Sequence, residues 1–362
     1  MWSGFTPRAG VLQKFTTIGL SLIGTALMRE LSTQMSKLSS MKVSSALADA
    51  PLLEPATQQF VDVIAAGPAM VELSPNDARK LLADAQSGNI GKPAAHLEDR
   101  VIPVGPSGSV SVLIVRPEGA NEALPAVVYV HGGGWIFGDR NTHDRVIREI
   151  AVGAHVALFF VEYDRSPEAQ YPIAIEQIYA VTKYLVEHGE ELGIDPTRLA
   201  IVGDCMGGNM AAAVALLAKQ RRGPKVDAQV LFYPAVASVF DTGSYTLFAN
   251  GPWLTKRAME TFWNAYLPDI AMRRQITAAP LNASIDELTG LPDTLIIVAE
   301  NDVLRDEGER YARKLARAGV RVTSTRYNDT IHDFVMLNAL ADTPATRSAI
   351  AQTNAFLRSI LE

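Results

Sequence analysis

Short apolar runs alternate with longer segments of helical period along the chain from about residue 100 onward. The short runs are rich in Val, Ile and Leu, which is typical of buried strands. The predicted strands are Ala126–Val130, Val156–Tyr163, Leu199–Gly203, Gln229–Tyr233, Thr294–Ala299 and Val322–Tyr327. The predicted helices are Ile173–His188, Gly207–Lys219, Glu307–Ala318 and Ala345–Leu361. This alternation predicts an α/β fold with a mostly parallel central sheet flanked by helices.

Two segments fall outside this alternation, residues 46–90 and 236–275. The second carries aromatic residues among small and polar ones, namely Tyr245, Trp253, Trp263 and Tyr266. In a parallel sheet the ligand binds beyond the carboxyl ends of the strands, where insertions can roof it. We therefore expect both segments to form a helical cap on a core made of residues 91–235 and 276–362.

Residues 1–45 are expected to be a leader or an N-terminal helix. Their apolar run, Phe15–Met28, has about fourteen residues, which is too short for a stable membrane span. The nearest small-residue cleavage pattern, Ala48–Ala50, lies some twenty residues beyond that run, which disfavours a signal peptide. The expected location is cytoplasmic, and export through an N-terminal signal is the alternative.

Composition narrows the function classes. The 362 residues are 48% hydrophobic with a formal net charge of -6, so we expect a large core and no binding to nucleic acid. A single cysteine excludes a disulfide within the chain, so its thiol serves either packing or chemistry.

The most informative segment, Leu199–Asn209, is an apolar strand that runs through a tight turn into a helix. The turn reads G-x-C-x-G, a nucleophile elbow with Cys205 where a serine usually lies. Gly203 and Gly207 allow the strained turn, and the helix N-terminus at Met206 favours negative charge, which would lower the thiol pKa. A buried, inert cysteine is the alternative interpretation.

A glycine-rich loop, His131–Trp135, follows another predicted strand. Glycines let backbone N–H groups face a developing oxyanion, which is the largest electrostatic contribution in acyl transfer. The expected oxyanion donors are the N–H groups of Gly133, Gly134 and Met206. His131 is expected to be structural, and a plain flexible loop is the alternative for the whole segment.

An acid and a histidine follow in the chain order of α/β hydrolases. Asp302 lies directly after a predicted strand, and His332 comes thirty residues later in a predicted loop. We expect His332 to take the thiol proton and Asp302 to orient the imidazole. Glu300 and Asp306 compete for the role of the acid, but Asp306 is expected to cap the helix that begins at Glu307.

Aromatic residues beside the glycine loop and in the 236–275 segment are candidates for substrate binding, although such residues are as often core. The candidates are Trp135, Phe137, Trp253 and Trp263. They suggest an apolar acyl or aromatic pocket and do not identify the substrate.

Over roughly residues 95–360 the sequence resembles the hormone-sensitive-lipase group, also called bacterial family IV esterases. The resemblance rests on motifs in the same order: His131–Trp135, Gly138–Asp139, Thr142–Asp144, Tyr163–Pro172, Gly203–Gly208 and Asp302–Gly308. It implies an α/β-hydrolase fold with a helical cap, and hydrolysis of carboxylic esters with short or medium acyl chains. It also implies no metal or organic cofactor, and homodimers are frequent in the group.

Two positions depart from the pattern of that group. The elbow has Cys205–Met206 in place of serine and alanine, and Asp333 follows the histidine where the group usually has glycine. Dienelactone hydrolases and polyhydroxyalkanoate synthases resemble this elbow with its cysteine, so the change is compatible with activity. Replacement of a serine by mutation would look the same. A carboxylate beside the base is expected to raise the histidine pKa.

The leading expectation is a carboxylic ester hydrolase that forms an acyl-enzyme on Cys205 and acts on a small-molecule ester. An acyltransferase or cyclase that passes the Cys205 thioester to another acceptor is one alternative. A non-catalytic small-molecule-binding protein is another, as in the plant gibberellin receptors that resemble this family. A receptor, however, has no need to retain the histidine and the acid.

Overall fold

Eight strands form one sheet in the computed structural model, which describes residues 52–88 and 90–362. The strands are β1 (Ala95–Ile102), β2 (Val110–Pro117), β3 (Leu124–Val130), β4 (Ala157–Glu162), β5 (Ile194–Asp204), β6 (Ala228–Phe232), β7 (Asp293–Asn301) and β8 (Val322–Ile331). Their order across the sheet is β1-β2-β4-β3-β5-β6-β7-β8. β2 is antiparallel to both neighbours, and the other adjacent pairs are parallel. The predicted mostly parallel sheet is confirmed.

Helices alternate with the strands from β3 onward. The α-helices of the described residues are α1 (Pro55–Ala65), α2 (Pro75–Gln86), α3 (Arg140–Ala154), α4 (Ile173–Glu187), α5 (Met206–Gln220), α6 (Gly243–Leu247), α7 (Lys256–Tyr266), α8 (Ile285–Leu288), α9 (Arg305–Arg317) and α10 (Pro344–Leu361). α3 packs on α10, and α4 packs on α5, which itself lies on β5 and β6. These contacts cover the sheet, so the predicted flanking helices are confirmed.

The central strands are apolar along their length because they are covered by helices. Every residue of β3 and of β6 is buried. The carboxyl ends of β3, β5 and β6 lie side by side: Val130 pairs with Gly203, and Asp204 pairs with Phe232. The chain segments that follow these strands therefore emerge next to one another at one edge of the sheet, which is where the candidate residues lie.

Outside the two expected cap segments, the structure adds β1, β2, α3 and the short α8 to the predicted elements. β1 is an edge strand whose side chains are mostly exposed, so it has no apolar run. β2 pairs with β1 without an intervening helix and so falls outside the alternation of strands and helices. α3 begins with a capping box between Asp139 and Thr142, which is a polar signal that apolar periodicity does not carry.

Residues 53–362 form one compact unit. The predictions for residues 1–45 and for the first positions of the 46–90 segment lie outside the described residues. Within residues 52–88 and 90–362, no helix combines the length and apolarity that crossing a bilayer requires.

Gly207→Ala is expected to destabilise the fold strongly, because a Cβ at this position would overlap the carbonyl group of Val130 at the end of β3. We expect the free energy of unfolding, measured by chemical denaturation, to fall by roughly 3 kcal/mol. Gly88→Ala is the control, since a Cβ there meets no described atom within 4 Å. Its effect is expected to stay within about 0.5 kcal/mol. Equal effects of the two substitutions would contradict the close approach of α5 to β3.

Candidate active site

Cys205 lies at a sharp turn between β5 and α5. Its φ of 54° and ψ of -117° are sterically unfavourable for a residue with a Cβ. The N–H of Cys205 donates to the carbonyl of Phe232 at 2.9 Å, and its carbonyl accepts from the N–H of Ala235 at 3.2 Å. A side chain on Gly203 would overlap Gly207, so the two glycines let strand and helix pass. The predicted strand, turn and helix are present.

Three side chains form a line of hydrogen bonds at this turn. His332 Nε2 lies 3.0 Å from Cys205 Sγ, and His332 Nδ1 lies 2.7 Å from Asp302 Oδ2. The backbone N–H of Leu304 donates to the other oxygen of Asp302 at 2.9 Å, which fixes the carboxylate. All three side chains are buried. The structure thus brings together the residues that the sequence offers as nucleophile, base and acid.

A second carboxylate approaches the same imidazole. Asp333 Oδ1 lies 3.3 Å from His332 Nε2, and Asp333 Oδ2 accepts a hydrogen bond of 2.9 Å from Trp253 Nε1. Asp333 has a φ of 65°, a left-handed conformation that glycine adopts more easily than aspartate. Asp333 therefore connects Trp253, one of the candidate substrate-binding residues, to the imidazole of His332.

The charges around His332 shift the pKa of both the imidazole and the thiol. Burial opposes a charged imidazole, but Asp302, Asp333 and Cys205 outweigh it and raise the pKa of His332 well above its ordinary value. Burial raises the pKa of the Cys205 thiol, although His332 acts in the opposite direction. The expectation that the helix N-terminus lowers the thiol pKa is therefore wrong, because desolvation of the buried sulfur dominates. Both groups hold their protons to higher pH than usual.

The glycine loop lies directly against Cys205. A Cβ on Gly132 would lie 2.9 Å from the Cβ of Cys205, and a Cβ on Gly134 would lie 2.7 Å from the ring of Phe262. Gly133 and Gly134 have φ values of 101° and 66°. Among the backbone hydrogen bonds of the described turns, loops and helix ends, none is donated by the N–H of Gly133, Gly134 or Met206. The described turns and loops therefore leave these three candidate oxyanion donors without a backbone acceptor.

Asp204 ties the elbow to the glycine loop. Its Oδ1 accepts from the N–H of Gly132 at 3.1 Å and from the hydroxyl of Tyr129 at 2.9 Å, and its Oδ2 lies 3.4 Å from His143 Nε2. Burial opposes ionisation, but His143 and Tyr129 outweigh it and hold the pKa of Asp204 below its ordinary value. Sequence reasoning missed this role, although the position directly before Cys205 was a usable signal.

His131 stacks on the ring of Tyr163 at 4.2 Å between centroids, and its Nδ1 lies 2.8 Å from the carbonyl oxygen of Gly132. Burial and the neighbouring His143 lower the pKa of His131 to about 3. The imidazole is therefore neutral at ordinary pH, which agrees with a structural role.

The two competitors for the acid make other contacts. Glu300 accepts from the N–H of Asp329, and Asp306 accepts from the N–H of Ser244 at 2.7 Å. The helix that follows begins at Arg305 and not two residues later, so the expectation that Asp306 caps it is wrong. The position of a helix end within two residues is not determined by apolar periodicity.

Glu307 is a buried carboxyl group that sequence reasoning did not single out. Its Oε1 accepts from the N–H groups of Val236 and Ala237 at 2.7 and 3.1 Å, which anchors the start of the 236–275 segment to α9. Burial outweighs these hydrogen bonds and raises the pKa of Glu307 to about 8.

The other candidate substrate-binding residues pack among aromatic neighbours. Trp135 and Trp263 meet at 5.0 Å between ring centroids, and Tyr266 stacks on Trp135 at 4.0 Å. Phe137 lies edge to face with Phe262 at 5.6 Å. Trp135 and Trp263 are fully buried, so their rings contribute to the core that supports the glycine loop. Phe262, which the sequence did not indicate, lies against Gly134 of that loop.

Cys205, His332 and Asp333 offer a sulfur, a nitrogen and an oxygen atom within 4.8 Å of one another. This donor set could hold a transition metal ion such as zinc. Because the same sulfur and nitrogen form a hydrogen bond with each other here, a bound cation and that bond exclude one another.

The fold and the site together define the class of α/β hydrolases. The defining features are this strand order, a strained residue after β5 and a histidine after the last strand. The family described as the α/β-hydrolase fold matches residues 127–336, and the chain belongs to it.

Similar proteins include named esterases. A protein of Acanthamoeba polyphaga mimivirus that is named as an α/β hydrolase is 39% identical over 295 residues, which are 82% of this chain and 84% of the relative. Carboxylesterase NlhH of Mycobacterium tuberculosis is 36% identical over 273 residues, 74% of this chain and 84% of the relative. The crystal structure of a thermostable esterase from Pseudomonas putida ECU1011 is 44% identical with a TM-score of 0.84, covering 86% of this chain and 99% of that one.

The imidazole of His332 is expected to titrate above 6.5, its ordinary value, when followed by NMR. Asp302→Asn should lower this midpoint, because it removes one of the negative charges that favour the imidazolium, the others being Asp333 and Cys205 as thiolate. Because the pKa of His332 is higher in the folded protein than in the unfolded chain, its protonation stabilises the fold. This stabilisation is complete at pH values below the pKa of the unfolded chain, and it is lost as the pH rises through the pKa of the folded protein. Asp293→Asn, at the far end of β7, is the control and should leave the midpoint unchanged. The same midpoint in both variants would contradict the assigned cause.

Proposed function

We propose that the protein is a carboxylesterase of the hormone-sensitive-lipase group that forms an acyl-enzyme on Cys205. The observation that carries the proposal is the line of hydrogen bonds from Cys205 Sγ through His332 to Asp302, beside a glycine loop. Relatives of similar length that are named carboxylesterases and esterases support the reaction class. A carboxylesterase-like hydrolase is the class that they share.

The acylation step uses the three side chains in turn. His332 Nε2 takes the thiol proton as Cys205 Sγ attacks the carbonyl carbon of the ester and forms a C–S bond. Asp302 accepts the Nδ1–H bond and stabilises the imidazolium. The C–O bond of the ester then breaks, and His332 gives its proton to the departing alcohol. The acyl group remains on the chain as a thioester.

Backbone donors are proposed to stabilise the intermediate. The N–H groups of Gly133, Gly134 and Met206 face the developing oxyanion, and the N-terminus of α5 adds a favourable dipole. Removal of one such donor typically costs about 3 kcal/mol of transition-state stabilisation. The pKa shifts of the two reacting groups imply that alkaline pH favours the reactive form.

Residues 46–90 and 236–275 are proposed to form a cap over the site. Phe60 of α1 contacts Trp253 at 5.3 Å between ring centroids, and Phe262 of α7 lies against the glycine loop. Both segments thus supply apolar side chains near Cys205, His332 and Asp302. This supports a neutral small-molecule ester with a short to medium acyl chain or an aromatic group as the substrate.

Incubation with p-nitrophenyl acetate followed by rapid acid quench is expected to add one acetyl group to the protein. Intact-protein mass spectrometry should detect it on the unsubstituted chain and on Cys205→Ser, and not on Cys205→Ala. Nitrophenol release reports acylation in parallel. Absence of both adduct and release in the unsubstituted chain and in the serine variant would overturn the esterase proposal in favour of a binding protein.

Phe262→Ala is expected to shift preference toward longer acyl chains, because the ring occupies the space beside Gly134. The ratio of kcat/KM for p-nitrophenyl octanoate to that for the acetate should rise roughly ten-fold. Phe356→Ala, which removes a partly buried ring from α10, should leave the ratio unchanged. A ratio that moves equally in both variants would argue against Phe262 as part of the acyl pocket.

A further inference from the structure

The second half of the proposed reaction places a requirement on the site. A water molecule that cleaves the Cys205 thioester must give one proton to His332 Nε2, because this is the base that faces the acyl group. Water carries a second proton, and in a buried site that proton also needs an acceptor. The water has a single orientation only when each of its two O–H bonds points to a hydrogen-bond acceptor.

Asp302 cannot be that acceptor. One of its oxygens lies 2.7 Å from His332 Nδ1, and the other accepts from the N–H of Leu304. Both oxygens are therefore occupied on the side of the imidazole that faces away from the thiol.

Asp333 has an oxygen in the right place. Its Oδ1 lies 3.3 Å from His332 Nε2, close to Cys205 Sγ, and this buried oxygen accepts no hydrogen bond from the described residues. Its Oδ2 is held by Trp253 Nε1, so the carboxylate is fixed, while Oδ1 contacts the imidazole at ion-pair distance and can still accept a hydrogen bond from water. A water bonded to both Nε2 and Oδ1 would have its two protons directed and its lone pairs turned toward the thioester.

Exposure and backbone conformation agree with this role. The side chain of Asp333 is 15% exposed and that of His332 is 1% exposed, so part of Asp333 reaches the surface while its Oδ1 lies inside the site. Asp333 also has a left-handed backbone, which is uncommon for residues other than glycine. A side chain at such a position beside the base is a candidate for function.

We propose that Asp333 is a catalytic residue that binds and orients the water which hydrolyses the acyl-enzyme. The inference rests on the proposed function. The oxygen of the water bonds to the thioester carbon while His332 Nε2 takes one proton of that water. The other O–H of the water donates to Asp333 Oδ1. The C–S bond then breaks, the proton on His332 passes to Cys205 Sγ, and the acid leaves with its hydroxyl from water.

Asp333→Asn tests the assignment, because it keeps the size of the side chain and removes the charge. With p-nitrophenyl acetate, measured at the pH optimum of each form, kcat should fall roughly 10²-fold. KM should fall by a similar factor, so kcat/KM, which reports acylation, should change less than about three-fold. Acetyl-enzyme should become the main species in quenched mass spectra.

Methanol gives a second readout. Its only hydroxyl proton goes to His332, so methanolysis does not need Asp333. The ratio of methyl acetate to acetate formed in aqueous methanol should therefore rise in Asp333→Asn. Asp333→Gly, which suits the backbone conformation, should behave in the same way if the asparagine variant does not fold.

Asp329→Asn is the matched control, since Asp329 also has a left-handed backbone, with a φ of 62°, near the end of β8. It should leave kcat, KM and the methanol ratio unchanged. Equal falls of kcat and kcat/KM in the Asp333 variants, or an unchanged methanol ratio, would overturn the assignment. Failure of the proposed function has a different signature, which is the absence of acetyl-enzyme and nitrophenol release from the unsubstituted chain.

Discussion

The strained backbone at Cys205 is the constraint on which the rest of the site depends. A residue with a Cβ is held at a φ of 54°, at a cost of about 1–3 kcal/mol, because Phe232 at the end of β6 bonds its N–H and Ala235 beyond that strand bonds its carbonyl. Such a turn persists only where the surroundings over-determine it. The buried strands β3, β5 and β6 and the two glycines of the elbow provide those surroundings.

Charge in the site is unevenly distributed. Three carboxylates lie around the reacting groups: Asp302 and Asp333 act on His332, and Asp333 and Asp204 act on Cys205. A second anion at the thiol would be repelled, so the field disfavours anionic ligands and suits a neutral carbonyl compound. Asp302 and Asp333 raise the pKa of the imidazole, whereas the pKa of the thiol is raised first by burial, to which Asp333 and Asp204 add.

Local sequence signals predicted the fold and the central candidates. Periodicity predicts the strands, and motif spacing predicts the turn at Cys205 and the order of Asp302 and His332. Both signals depend only on residues that are close together in the chain. The hydrogen bond between Trp253 and Asp333 joins residues eighty positions apart, and nothing in either segment indicates it. The burial of the thiol, which reverses the expected direction of its pKa, likewise depends on packing between distant elements.

The chain contains a single cysteine, and that cysteine lies at the turn between β5 and α5. Any thiol-directed label that reacts with this protein therefore marks one known atom, with no background from other positions. The stoichiometry of labelling counts intact sites directly, and a fluorine or spin probe placed there reports on the junction of sheet, helix and glycine loop. Oxidation of this one sulfur would change the junction at the carboxyl ends of the central strands, whereas its burial and raised pKa slow that reaction.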